Sequence, residues 1–368
     1  MKTVILTDTK YRSAISAART FGRAGYHVVA VQARDDTDVT PPVFSSRFVA
    51  ETHWLAGTAN DVGYAERLLA LISGYDRPVL FPVGAATLNT VSRAREVFSP
   101  WCDFLISPPD VLDAVNDKEA VHQRAIELGL SVPREHKGVP DRYPVVVKLH
   151  CGEKFGLTAG ERYVVARNAT EFNKALASMS RYDVAPIVQE VVTGEGNSAC
   201  VLLDRGGRLA DAFCHRRVRE YPVSGGPSAC CESSYDAEKV DAAYRLLKSF
   251  DFVGLAMVEF KGDHILEVNP RVWGSFPLTT LADSPIALRY AEAAAGKAAA
   301  YQPHDYKTGV RMRFVLNDTL ATLSLLGHGR LREAGAGVLD MFRAREALTD
   351  KDDPAPMKAY LKATILKR

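Results

Sequence analysis

Long apolar runs are missing from this sequence. No stretch approaches the ~20 consecutive apolar residues of a membrane-spanning helix, so no membrane partner is expected. The opening residues MKTVILTDTK lack the apolar segment and small-residue cleavage site of a secretory signal. Cysteine is scarce, with six in 368 residues, and no CxxC pair occurs. A disulfide scaffold is excluded on that count, and the thiols are read as reduced in a cytoplasmic protein. Cys214, His215, Cys230 and Cys231 cluster in sequence, but adjacent cysteines are poor zinc ligands, and core thiols are expected. An excess of one charge is absent too: 46 basic against 44 acidic residues leave +2. Neither nucleic acid nor an anionic surface is called for. The first turn after the opening strand, DTKYRS, lacks GxGxxG, which disfavours a nicotinamide dehydrogenase. GxSxG, HExxH and GxxxxGK(S/T) are missing as well.

What is present suits a two- or three-domain α/β and α+β protein. Hydrophobic residues make up 47% of the chain, ample for a core. Apolar runs at 3–8, 27–32 and 78–84 alternate with a helical pattern at 12–25, which predicts a parallel, Rossmann-like sheet. Asn116 or Asp117 can cap a helix ending at Gly129. Strands are expected at 143–150, 162–168 and 186–192, with a helix over 169–179. Residues 197–221 read as a hairpin, 234–250 as an amphipathic helix, and 284–296 as a helix with start and stop signals. The tail opens with a strand at 309–315 and continues mostly helical.

The stretch GLAMVEFKGDHILEVNPRVWGSF carries the chemistry. It reads as a hairpin turning at Lys261, Gly262 and Asp263. With that three-residue turn, Glu259, Ile265, Glu267 and Asn269 share one face, and the two acids are diagonal neighbours. Ala256, Val258, Phe260, Leu266 and Val268 are then free to bury. Two carboxylates and an amide oxygen form an all-oxygen donor set, which suits Mg²⁺ rather than zinc. Arg271 just beyond would reach phosphate oxygens. A solvated acidic edge is the bland alternative, but acids are depleted in strands. Lys148 sits among Val145, Val146, Val147 and Leu149, and a buried lysine needs an anionic partner.

Together these elements resemble the ATP-grasp superfamily, in the carboxylate–amine ligase branch that includes D-aspartate-ligase-like proteins. The resemblance rests on NDK (116–118), VVVK (145–148), a Gly-containing loop HCGEKFGLTAGERY, QEVVTGEG (189–196) and EF…EVNPRxWGS. It implies an ATP-grasp fold behind a Rossmann-like pre-ATP-grasp domain (1–115). A small subdomain (116–188), a large subdomain (189–300) and a C-terminal tail (301–368) would follow. By motif position, Lys118 and Lys148 would meet the ATP phosphates, and the loop with Lys154 and Gly156 would close over them. Glu190, Val191 and Val192 would read the adenine and Glu195 the ribose. Glu259, Glu267 and Asn269 would hold two Mg²⁺, with Arg271 and Lys148 acting in catalysis. The loop lacks the Gly-Gly pair of many members, which leaves its phosphate contacts open.

The implied chemistry is ATP-dependent activation of a small carboxylate, an amino acid in the first instance, as an acyl phosphate that an amine attacks. Positioning and electrostatics suffice for this, with no protein nucleophile. For the acyl substrate, HRRVREYPVSGGPS supplies guanidinium groups and a flexible turn. Alternation puts Arg217 and Arg219 on one face, so these, with Ser224, Gly225 and Gly226, are the candidates, and Arg311 from the tail is grouped with them by chemistry. Trp273 reads equally as a site wall or a core residue. Transfer to a carrier thiol, carboxylation with bicarbonate, and nucleotide binding without turnover are the rival readings. A homodimer and a carrier protein stay open as partners.

Overall fold

A computed structural model describes residues 2–34, 39–149, 157, 161, 163–182, 185–223 and 226–366. The N-terminal sheet is parallel. Its strands are β1 (Thr3–Thr7), β2 (His27–Ala33), β3 (Glu51–Leu55) and β4 (Val79–Pro82), in the order β3-β2-β1-β4. The expected runs form β1, β2 and β4. β3 was not expected; its residues are only partly buried, as an edge strand permits. Helices α1 (Arg12–Arg23), α2 (Tyr64–Ile72), α3 (Ala85–Arg93), α4 (Arg95–Phe98) and α5 (Pro109–Asn116) accompany this sheet. α1 crosses from β1 to β2 and buries Ala14, Ile15, Ala17, Ala18 and Phe21. The chain runs β1, β2, β3 in one direction and then places β4 on the other side of β1. A crevice therefore opens outside the C-terminal ends of β1 and β4.

α6 (Lys118–Glu127) begins where the Asp117 carboxylate accepts the Glu119 and Ala120 N–H groups. This cap fixes the direction in which Lys118 leaves the chain. A three-stranded antiparallel sheet follows, with β5 (Val145–Lys148) between β6 (Tyr163–Ala166) and β7 (Ile187–Glu190). α7 (Ala169–Ser180), capped by Asn168, covers it. Val145, Val147, Phe172, Ala175 and Met179 make its core. The alternate residues Val146 and Lys148 therefore face the other way, into the cleft described below.

The large sheet is built from β8 (Gly196–Leu203), β9 (Leu209–Glu220), β10 (Ser228–Ser234), β11 (Gly254–Lys261), β12 (His264–Asn269), β13 (Arg311–Arg313) and β14 (Arg345–Glu346). Its order is β12-β11-β8-β9-β10-β13-β14. α8 (Ala237–Lys248), capped by Asp236, packs on one face. α9 (Pro277–Leu281) and α10 (Ile286–Ala294) join the other face to α1 and the N-terminal sheet through Phe81, Trp273, Phe276 and Tyr290. α11 (Val315–Gly327) and α12 (Leu331–Arg343) stand between β13 and β14, and α13 (Ala355–Leu366) ends the described chain. Among the described residues, no helix is long and apolar enough to cross a membrane.

Candidate active site

A cleft of about 990 Å³ lies between the three sheets. Its floor is the exposed face of the β11–β12 hairpin, and the register there differs from the sequence expectation. Lys261 pairs with His264 and Phe260 with Ile265, so the turn has two residues, Gly262 and Asp263. A bulge at Leu266 then restores the alternation, and Glu259 stands directly opposite Glu267 rather than diagonal to it. The bulge also exchanges two side chains. Ile265 packs in the core beside Phe260 and Val268, while Leu266 lines the cleft.

Cross-strand pairing extends the acidic row. Glu259 pairs with Ser198 on β8, and Ser198 with His215 on β9. Directly paired residues share a face, so Glu267, Glu259, Ser198 and His215 form one line across four strands. Asn269 donates its amide to Glu259 Oε1 at 3.1 Å, and Arg271 Nη2 reaches Asn269 Oδ1 at 3.5 Å. Lys118 Nζ lies 2.8 Å from Glu267 Oε2. Arg217, two residues beyond His215, donates to Glu259 and at 3.4 Å to Glu220.

The electrostatics follow from this crowding. Burial pushes the Glu259 carboxyl up, opposed by Arg217 and reinforced by Glu267. Burial raises Glu267 as well, but Lys118, Lys148 and Arg217 outweigh it and hold that acid below the usual range. Lys148 is brought down to about 8, first by burial and then by the charge of Lys118. His122, bonded to Leu266 O and Gln189 behind the hairpin, falls to about 4 through burial and the same lysines. The cleft thus holds a surplus of partly desolvated cations, an arrangement that favours a polyanionic ligand.

Two acids face to face with an amide oxygen alongside offer only oxygen donors, and Glu259 is crowded by a like charge. That donor set fits a hard divalent cation such as Mg²⁺. Among the described residues, no group of three or more His, Cys, Asp or Glu side chains is arranged for a metal. Cys214, Cys230 and Cys231 are buried, and burial raises all three thiols.

The other expected residues divide. Lys118, Lys148, Glu190, Val191, Val192, Arg217, Gly226, Glu259, Glu267, Asn269 and Arg271 all line the cleft. Glu190 accepts the Arg134 N–H at 2.8 Å, and its own N–H donates to Arg134 O. Val191 and Val192 follow the end of β7 as an extended linker. Glu195 sits outside, mostly exposed, 3.4 Å from Arg216.

Arg219 and Arg311, expected at the substrate, are elsewhere. β9 bulges against β10 between Arg217 and Arg219, which breaks the alternation meant to keep them on one face. Arg219 is buried against Asp318 and Asp340, and the half-buried Arg311 pairs with Glu232 and Asp340. Their guanidinium groups are spent on anchoring α11 and α12. Lys154, Gly156, Ser224 and Gly225 lie outside the described residues. Trp273 proves to be both things expected of it, fully buried and part of the cleft wall. Tyr11, Arg12, Ser13 and Gly84 also line the cleft. They come from the far end of the chain and carry no motif that local reading detects.

The ATP-grasp domain model matches residues 115–275. That span contains the whole acidic hairpin and both lysines. The fold is an ATP-grasp fold. Its likeness extends beyond the matched span. Biotin carboxylase from Campylobacter jejuni, solved as a β,γ-ATP complex, superposes with a TM-score of 0.61 at 15% identity, covering 84% of this chain and 74% of that one. The biotin carboxylase domain of Hydrogenobacter thermophilus 2-oxoglutarate carboxylase, solved as a dimer with MgADP and bicarbonate, gives 0.62 at 15% identity, over 84% and 73%. Rhizobium etli pyruvate carboxylase gives 0.60 at 16% identity, over 84% of this chain and 30% of that one. No curated protein sequence matches the chain. These ATP-grasp likenesses are to carboxylase components.

Proposed function

We propose that the protein is an ATP-dependent ligase of the carboxylate–amine type, akin to D-aspartate ligases, and that it activates a small carboxylate as an acyl phosphate. The observation that carries this reading is Glu259 directly opposite Glu267, with Lys118 on the second acid, in a cleft that Lys148 and Arg271 also line. Glu259, Glu267 and Asn269 would hold Mg²⁺, which neutralises phosphate charge and orients the triphosphate. Lys118 and Lys148 bind the phosphates as compact cations. Val191 and Val192, with Glu190, take the adenine edge, and Glu195 can reach a ribose only after moving inward.

A carboxylate oxygen of the acid attacks the γ-phosphorus, the bond to ADP breaks, and ADP leaves. The amine nitrogen then attacks the acyl carbon, loses a proton, and phosphate departs. Arg271 stabilises charge on the transferred phosphoryl group, and Arg217 sits where the acyl end approaches Glu259. The test is a screen of amino acids against amines for ADP release, with mass spectrometry of the product. ADP release that requires both partners supports the reading; no release with any pair overturns it.

Carboxylation is the second reading, favoured by the likeness to biotin carboxylases. In it bicarbonate is the carboxylate that is phosphorylated. Release of ADP that requires ¹³C-bicarbonate, with label in the product, would select it.

A further inference from the structure

The helical pair α11–α12 is built inside out. A surface helix ordinarily turns its apolar stripe to the core and its polar side to water. Here α11 buries Asp318, Ala321, Thr322 and Leu325, and α12 buries Ala334, Gly337 and Asp340. The two buried acids fasten the pair to the large sheet. Asp318 meets Arg219 and Arg313, and Asp340 meets Arg219 and Arg311. The helices approach closely, since a side chain at Gly337 would collide with Thr322. Small and polar residues fill the inner side, and large apolar ones are left outside.

On α12, Leu331, Val338 and Phe342 are spaced by seven and then four residues, so they share one line, with Leu339 beside it. Phe342 is 87% exposed, Leu331 68% and Leu339 53%. Leu316, Leu323 and Leu326 are exposed on α11. Monomeric proteins rarely gather so many large apolar side chains in water without a use for them.

The charges around this patch have one sign. The only charged residue of α11, VLNDTLATLSLLG, is the inward Asp318. Arg332 and Arg343 are both exposed and lie eleven residues, about three turns, apart, so they flank the apolar line on one edge. Arg345 follows, also exposed. The outward acid of α12, Glu333, accepts from Arg330 at 2.7 Å.

We infer that the outer side of α11–α12 is a membrane-docking surface, with Leu331, Leu339 and Phe342 at the acyl boundary of an anionic bilayer and Arg332 and Arg343 among the lipid phosphates. An apolar face rimmed by arginine is the chemistry of interfacial binding. A missing spanning segment bears on crossing a bilayer and not on lying against one. A second copy fits this surface less well. Two-fold contact would set the patch against itself and bring its arginines together with no free acid to meet them. A protein partner also fits less well, because the centre of the patch offers no hydrogen-bonding side chain, whereas protein interfaces carry directional pairs. α11 leads straight from Phe314 in the cleft wall, so a docked chain holds its cleft beside the bilayer. This surface is independent of which reaction the cleft performs.

The test is co-sedimentation of the full chain with vesicles of phosphatidylcholine alone and of phosphatidylcholine mixed equally with phosphatidylglycerol. The native protein is expected to bind the anionic vesicles, at least about tenfold more tightly than the neutral ones, and to release as salt rises. Phe342→Asp and Leu339→Asp each put a carboxylate in the apolar line and weaken binding at least about tenfold. Arg332→Glu combined with Arg343→Glu erases the preference for anionic lipid. These side chains are exposed, so circular dichroism melts of the variants should match the native protein within a few degrees.

No binding to anionic vesicles, or binding that survives in Phe342→Asp and Leu339→Asp, overturns the proposal. Light scattering identifies the alternative: a native dimer that Phe342→Asp dissociates, with no vesicle binding, assigns the surface to a second copy instead.

Discussion

Glu259 and Glu267 face each other across β11 and β12, and each is tied to a different cation, Arg217 for the first and Lys118 for the second. Two like charges in direct cross-strand register destabilise a sheet. Their placement here is compensated from outside the hairpin, by α6 and β9. In Glu267→Gln the like-charge repulsion goes but the anionic ligand is lost. ADP release is expected to fall by at least about a hundredfold, since metal-held phosphate is worth several kcal/mol in the transition state. The thermal midpoint should not fall by more than a few degrees. Full turnover in this variant would remove the proposed metal site.

Lys148 tests the phosphate end. Its charge is partly desolvated and lies near that of Lys118, which brings its pKa to about 8. Unfolded, the same lysine titrates near 10.5. The unfolded chain therefore binds more protons between those values, and stability rises with pH across that window. Lys148→Met should stabilise the ligand-free protein below pH 8 by ~1–3 kcal/mol and flatten that rise, while weakening ATP. In the native protein, ATP affinity should decline as pH rises through about 8, where the cation is lost. Denaturant melts and nucleotide titrations from pH 6 to pH 10 check both signs. An unchanged ATP affinity in the variant would refute the assignment.

Arg217 and Arg219 are expected to separate cleanly. Arg219 is buried with Asp318 and Asp340, and truncating one member of such a network leaves unpaired charge behind, costing about 3–5 kcal/mol. Arg219→Ala should lower stability by about that much without changing kcat in the folded fraction. Arg217→Ala should lower kcat. Urea melts paired with steady-state kinetics distinguish them; equal losses of kcat would place both arginines at the substrate.

Much of the site was legible because it is local. Strand period, turn residues and the EF…EVNPR pattern put Glu259, Glu267, Asn269 and Arg271 on one hairpin. The apolar neighbours of Lys148 pointed to that lysine, and the NDK motif of the family resemblance pointed to Lys118. What failed was alternation across bulges. One bulge at Leu266 exchanged Ile265 for Leu266, and another at β9 turned Arg219 away from Arg217. Nothing in a single strand's sequence shows an extra residue that only its partner strand reveals. Arg12 and Gly84 were missed for a different reason. They reach the cleft through sheet topology, more than a hundred residues from the hairpin, and residues 12–25 read simply as a helical pattern. Arg311 paired with Glu232 by long-range packing that composition does not encode.

The central claim is that the acid pair holds a divalent cation together with nucleotide. Water-proton relaxation during Mn²⁺ titration, with a non-hydrolysable ATP analogue present, measures this without relying on turnover. The native chain is expected to bind Mn²⁺ in the presence of the analogue, and Glu259→Gln and Glu267→Gln to lose at least about tenfold in that affinity. Equal Mn²⁺ affinity in all three proteins would contradict the account.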